Sequence, residues 1–315
     1  MSLPHVTVIG AGQVGATTAH LLLLKQLAHV RLIDVIEGLA QGKALDMSQS
    51  APIEGIEATV MGTTDFGAIA GSRLVIVTAG LPRKPGMSRE DLLAANANIV
   101  GPIAERVGKT APDATLMIVT NPLDVMVALA LQRSGLPRQR VMGMAGVLDS
   151  ARLCTFVAQR LHVSPRDVEA MVLGSHGDLM VPLPGSIKVR GEPVSKQLDA
   201  REFQGLLQRT KDGGAEVVSL LKQGSAFYAP ASSIVAMAEA ILKNTHRVLP
   251  VCALLQGEYG LRDVCIGMPA QLGESGIERV VELPLSHEEQ AALTACAEQV
   301  RQSIKSLGAL PAPAH

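Results

Sequence analysis

The stretch VTVIGAGQVGATTAHLLL, residues 6–23, decides how the first half of this chain is read. An apolar run ends at Ile9, glycines follow at Gly10, Gly12 and Gly15, and an apolar helical pattern begins at once. A lone G-x-G-x-x-G is weak evidence, because glycine is common. Here it stands between a strand pattern and a helix pattern, where a dinucleotide site requires it. Gly10 permits the tight turn, Gly12 keeps a Cβ out of the path of a pyrophosphate, and Gly15 lets helix and strand pack closely. Ala11, Gln13 and Val14 complete a loop at the positive end of the helix dipole, where free N–H groups favour phosphate. A carboxylate is expected about 20 residues on, at the end of the second strand. VRLID supplies it as Asp34, 22 positions beyond Gly12. Its carboxylate would accept hydrogen bonds from ribose hydroxyls and repel a 2′-phosphate, which favours NAD over NADP. The competing reading is a structural glycine turn with a helix-capping Asp.

Outward from this motif, short apolar runs alternate with helical patterns. Strands are expected at 5–9, 29–33, 57–61, 73–78, 115–119 and 140–145, and helices at 13–26, 38–48, 90–109 and 122–134. The strand runs lack period-2 alternation, as strands buried on both faces do. The fold class is therefore α/β, with an N-terminal doubly wound parallel-sheet (Rossmann) domain. After about residue 146 the pattern changes. A helix is expected over 149–162, strands at 168–173 and 186–190, and helices at 200–222 and 229–243. An antiparallel meander in RVLPVCALL, VCIGMPAQL and IERVVELPL follows, and then a last helix over 286–306. This predicts a dinucleotide-binding domain over 1–146 and an α+β substrate domain over 147–315.

Composition narrows the function. The chain has 315 residues, enough for two cores, and 47% of them are apolar. Aromatics are 2%, with no Trp, so aliphatic side chains must fill the core. A formal net charge of −1 gives no reason to expect nucleic acid or an anionic membrane as partner. Cys154, Cys252, Cys265 and Cys296 form no CxxC pair, which argues against a structural metal site or a disulfide scaffold. No leader pattern precedes the first strand, and LLLL at 21–24 is too short to span a bilayer. A cytoplasmic protein is expected.

Four further stretches carry charge or polarity that a core does not need. TAGLPRKPGMSREDLLAANANIV, 78–100, sets Arg83, Lys84 and Arg89 in a Pro/Gly loop ahead of a helix, as either a solvated basic loop or a lid for an anionic substrate. IVTNPLDVM, 118–126, places Asn121 just past a buried strand, as helix cap or as ligand contact. GVLDSARLCTFVAQRL, 146–161, spaces Asp149 and Arg152 three apart on one helix face, where a surface ion pair is the plain alternative. LGSHGDLMVP, 173–182, holds His176 between two glycines. A lone histidine is more often structural, but a carboxylate partner would raise its pKa and suit it to proton transfer. Asp149 is one candidate partner and Asp178 the other.

Taken in order, GAGQVG, Asp34, GKALDMSQSAP, TAGLPRKPGMSR, VTNP, LDSAR and GSHGD resemble the lactate/malate dehydrogenase family from Val6 to about Lys305. Within it, the run Arg-Lys-Pro-Gly-Met-Ser-Arg is similar to that of the lactate-dehydrogenase-like malate dehydrogenases. The resemblance implies hydride transfer between NAD and malate or oxaloacetate in the tricarboxylic acid cycle, with lactate or another 2-hydroxy acid as the alternative substrate. A non-catalytic NAD-binding sensor is the alternative from another class. The family resemblance implies His176 as acid/base with Asp149 as partner, Arg152 on the near carboxylate, Arg89 on the reacting carbonyl and Arg83 on the far carboxylate. Asn121 would contact substrate and cofactor. Asn96, Val119 and Thr120 would line the cofactor site together with Gly10, Ala11, Gly12, Gln13, Val14, Gly15 and Asp34. No metal is implied. A homo-oligomer is implied, tetramer ahead of dimer. The chain departs from the family pattern at Ser175, where Glu or Gly is usual, and at Leu179, where Ser or Thr is.

Overall fold

The computed structural model describes residues 3–82, 86–177 and 179–306. Six strands, β1 (His5–Ile9), β2 (His29–Ile33), β3 (Val60–Thr63), β4 (Leu74–Val77), β5 (Thr115–Ile118) and β6 (Val141–Gly143), pair in the order β3-β2-β1-β4-β5-β6. Every pair in that series is parallel. Helices α1 (Gln13–Leu24), α2 (Leu39–Glu54), α3 (Arg89–Thr110) and α4 (Leu123–Ser134) cover the two faces. Burial on both faces explains the missing alternation. Leu74 and Ile76 of β4 pack with Leu22 and Leu23 of α1, while Val75 and Val77 pack with Val107 of α3 and Met126 of α4. The strand order reverses between β1 and β4. In open sheets of this kind, ligands sit in the crevice beyond the strand ends at that point.

The second half supplies α5 (Gly146–Leu161), β7 (Val168–Glu169), β8 (Val172–Gly174), β9 (Met180–Pro182), β10 (Lys188–Val189) and β11 (Glu192–Pro193). Helices α6 (Ala200–Leu221) and α7 (Tyr228–Leu242) follow, then β12 (Arg247–Gln256), β13 (Arg262–Gly273), β14 (Gly276–Val280) and α8 (His287–Ser306). β12, β13 and β14 form the expected antiparallel meander. It is not a separate sheet. Cys252 of β12 lies opposite Gly143 of β6, so the parallel sheet continues as antiparallel strands through β12, β13, β8 and β9. Helices of the second half therefore pack on the same layer that carries the glycine motif; α1 and α7 share one core with β1 and β4.

Several boundaries depart from the sequence expectation: α5 begins at Gly146, three residues early, β14 ends at Val280, and three further departures have a visible cause. α2 runs on to Glu54, past 48. The Ser48 and Ser50 hydroxyls donate back to Ala44 O and Met47 O, so neither ends the helix, and Pro52 falls in its last turn. β3 begins at Val60 because the Thr59 N–H turns to His29 Nδ1 instead of a ladder carbonyl. The run at 168–173 divides: β7 joins β10 and β11 in a small sheet, and β8 joins the main sheet beside β13.

Candidate active site

The glycine loop lies where β1 meets α1. Gly10 has φ +103°, a conformation that favours glycine. A Cβ on Gly15 would sit 1.8 Å from Gly10 O, so this helix can lie on this strand only with glycine there. A Cβ on Gly12 would meet nothing within 4 Å. Gly12 and Gln13 are exposed, α1 has no side-chain N-cap bond, and no acid lies in its first turn. The start of α1 therefore presents uncapped N–H groups and a positive dipole end to open space, with Val14 half-buried behind them. These residues fit a dinucleotide pyrophosphate.

Asp34 follows β2 and braces this loop. Its Oδ2 accepts from Ala11 N at 2.7 Å and its Oδ1 from Ile36 N at 3.0 Å. A carboxylate has lone pairs left after these two bonds, so ribose hydroxyls can still be accepted. Sequence reasoning missed Lys43 on α2, whose Nζ donates to Ala11 O at 2.7 Å. Its signal was the GKALDMSQSAP run, but nothing in that run names Ala11 as the target.

Beyond β4 and β5 the chain is fastened tightly. Thr120 is buried and its hydroxyl donates to Ala79 O at 2.7 Å. Asn96 of α3 is 1% exposed. Its side chain accepts from Leu81 N at 2.7 Å and donates to Leu81 O at 3.2 Å and to Asn121 O at 2.7 Å. The side chains of Thr120 and Asn96 thus hold backbone, and Asn96 joins the root of the 81–88 loop to the Asn121 turn. Val119 is half-buried and Asn121 exposed at the mouth of this crevice. Ser88 caps α3 in a capping box with Asp91, which anchors the far end of the loop. Arg83 and Lys84 lie outside the described residues. Arg89 is the first residue of α3, and its side chain lies outside them as well.

Asp149 and Arg152 come from α5, and His176 from the loop between β8 and β9. His176 Nδ1 is 2.9 Å from Asp149 Oδ2, and Arg152 Nη1 donates to Asp149 Oδ1 at 3.4 Å. The Asp149 side chain is 2% exposed, Arg152 14% and His176 24%. The ion pair that could have been a surface one is buried, and one carboxylate serves both cations. Burial disfavours the imidazolium and Arg152 opposes it too. The charge and hydrogen bond of Asp149, aided by Asp124, more than offset this, so the His176 pKa lies above the ordinary 6.5. Asp178, the other candidate partner, lies outside the described residues. α6 crosses close by: a Cβ on Gly213 would sit 3.2 Å from Arg152 Cδ. The glycine pair within a helical pattern was the sequence signal for this approach.

An imidazole with a raised pKa and a largely buried guanidinium thus share one carboxylate. The sequence model of the lactate/malate dehydrogenase NAD-binding domain matches residues 4–143. That of the lactate/malate dehydrogenase alpha/beta C-terminal domain matches 146–310. The chain belongs to the lactate/malate dehydrogenase family. Among relatives, the malate dehydrogenase of Nostoc punctiforme is 54% identical over 304 residues, 96% of this chain and 93% of that protein. Among solved structures, Cryptosporidium parvum malate dehydrogenase is 43% identical with a TM-score of 0.94, covering 98% of this chain and 99% of that one. The lactate dehydrogenase from Cryptosporidium parvum, solved with lactic acid and nicotinamide adenine dinucleotide, is 41% identical with a TM-score of 0.94 and covers 99% and 100%. In family terms the first half of the chain is the NAD-binding part, and the glycine loop and Asp34 lie within it. Among the described residues, no helix is long and apolar enough to cross a membrane. No group of three or more His, Cys, Asp or Glu among them could hold a metal.

Proposed function

We propose that this chain is an NAD-dependent malate dehydrogenase that interconverts malate and oxaloacetate. The carrying observation is the buried His176–Asp149–Arg152 cluster in a chain 54% identical to a malate dehydrogenase. NAD, when bound, supplies the hydride acceptor, and NADH the donor. Ala11, Gly12, Gln13, Val14 and Gly15 would hold the pyrophosphate and Asp34 the ribose, with Asn96, Val119 and Thr120 shaping the far wall. Asp149 takes His176 Nδ1, which leaves Nε2 as the edge for the substrate oxygen. His176 gives that oxygen a proton on reduction and takes it back on oxidation. Arg152 suits the near carboxylate bidentately. Asn121 binds beside it. Arg89, at the start of α3, and Arg83, six residues before it, would bring positive charge to the reacting carbonyl and to the far carboxylate while closure excludes water.

Malate and lactate dehydrogenases of Cryptosporidium parvum superpose equally well, so the fold does not choose the substrate. Arg83 favours the dicarboxylate, because a methyl-bearing substrate would leave its charge unpaired. The division of labour we infer is cofactor over 1–146 and substrate over 147–315, in a cytoplasmic homo-oligomer, tetramer ahead of dimer. The test is direct: purified protein, NADH and oxaloacetate should give NADH oxidation. Tight NADH binding without turnover would favour a non-catalytic sensor instead.

A further inference from the structure

A buried acid behind the His176–Asp149 pair has no part in the chemistry above. Asp124 is 4% exposed and lies in the first turn of α4, three residues after Asn121. Ser175 Oγ donates a short hydrogen bond to Asp124 Oδ2. Among the described residues Asp124 Oδ1 has no hydrogen-bond partner and no contact with solvent. The backbone N–H of Ser175 points to Cys296 Sγ of α8 at 3.1 Å. The next residue, His176, meets Asp149 of α5. Within two residues this loop is fastened to α4, α8 and α5.

We propose that Asp124 and Ser175 form a positioning pair that fixes the His176 ring relative to the turn carrying Asn121. The proposal rests on the reading of His176 as proton carrier and Asn121 as substrate contact. The groups that act on Asp124 are His176 and Ser175 from the loop, Asp149 from α5, and the thiols of Cys252, Cys265 and Cys296 from β12, β13 and α8. None of these is a lysine or arginine. A carboxylate ion here would be met only by weak or neutral donors, the Ser175 hydroxyl and the Cys252 thiol, whereas a neutral acid needs fewer partners. Burial pushes the Asp124 pKa up and the Asp149 charge adds to it, against weaker pulls from Ser175, Cys252 and His176. The upward shift favours the neutral form of Asp124 and leaves more of the negative charge to Asp149. The second acid can then hold the loop through Ser175 without competing for the proton of the ring.

The test compares Asp124→Ala, Asp124→Asn and Ser175→Ala with the wild type. Three readouts serve: kcat and KM for oxaloacetate, NADH affinity by fluorescence, and NMR titration of the His176 imidazole in the apoprotein, assigned by its loss in His176→Asn. A misplaced proton carrier costs rate, so Asp124→Ala and Ser175→Ala should lower kcat roughly tenfold or more with NADH affinity unchanged. Asparagine has the shape of the neutral acid. Asp124→Asn should keep kcat within about threefold and lower the His176 pKa only slightly, since Asp124 is the smallest of the influences that raise it. Wild-type kcat in both alanine variants would overturn the proposal. So would an Asp124→Asn that falls as far as Asp124→Ala, or one that lowers the His176 pKa by about a unit. If Asp124→Ala does not fold, Ser175→Ala and Asp124→Asn decide alone. A wild type that does not reduce oxaloacetate would sink the functional reading, and the His176 titration would still decide this one.

Discussion

Asp149 holds an imidazole with one oxygen and a guanidinium with the other, and both contacts are nearly closed to water. The raised His176 pKa gives the site a direction with pH. With His176 as the proposed proton carrier, reduction needs the imidazolium, so oxaloacetate turnover should fall as pH rises through that pKa. Oxidation needs the neutral ring, so malate turnover should fall as pH drops through it. A pH profile run in both directions checks the crossing. His176→Asn should leave NADH binding nearly intact and lower kcat by roughly 10²-fold or more, the range for removing a general acid/base; normal turnover in that variant would return His176 to a structural role. Asp34 makes a second prediction. Its charge should hold the preference for NADH over NADPH to at least about tenfold, roughly 1.4 kcal/mol, and Asp34→Ser should narrow it. Several of these side chains could be singled out in the sequence, because a glycine spacing, an acid at the end of a strand or a histidine between glycines departs from what a core needs. Asp124 and Lys43 were not, because their targets, Ser175 and Ala11, lie far along the chain and the partner is chosen by the fold.

Elements were legible where one cause decided them. The run LVIV at 74–77 is apolar at every position, and the structure buries both its faces. Where two causes competed, the boundary moved. The helix expected to stop at 48 runs on to Glu54, with the Ser48 and Ser50 hydroxyls bonded back along it. The run at 168–173 is continuous in sequence, but its halves pair with different sheets. The contact between α1 and β1 gives the prediction at this scale. Gly15→Ala forces a methyl against Gly10 O and should destabilise the protein by about 1–3 kcal/mol, as overpacking does. Calorimetry should show the lower Tm, and NADH titration should show weakened binding, because the same carbonyl shapes the phosphate loop. An unchanged Tm would mean that α1 can shift away from the strand at little cost.

At the scale of the molecule, the sheet joins the two halves. The Cys252–Gly143 pairing carries the parallel sheet into the meander, and the second half brings His176, Asp149 and Arg152 together. Sequence patterns indicated two parts, but a strand run carries no mark of which sheet it will join. The proposed function has this chain turn over a dicarboxylate. Removing one partner of a buried charged pair costs about 3–5 kcal/mol, and in the proposed function pyruvate would remove the carboxylate that Arg83 reads. The decisive measurement is the ratio of kcat/KM for oxaloacetate to that for pyruvate, with NADH, in the wild type and in Arg83→Gln. The account predicts a ratio of roughly 10²–10³ or more in the wild type and a collapse of that ratio in the variant. A ratio near one in the wild type, or one that Arg83→Gln leaves unchanged, would contradict it.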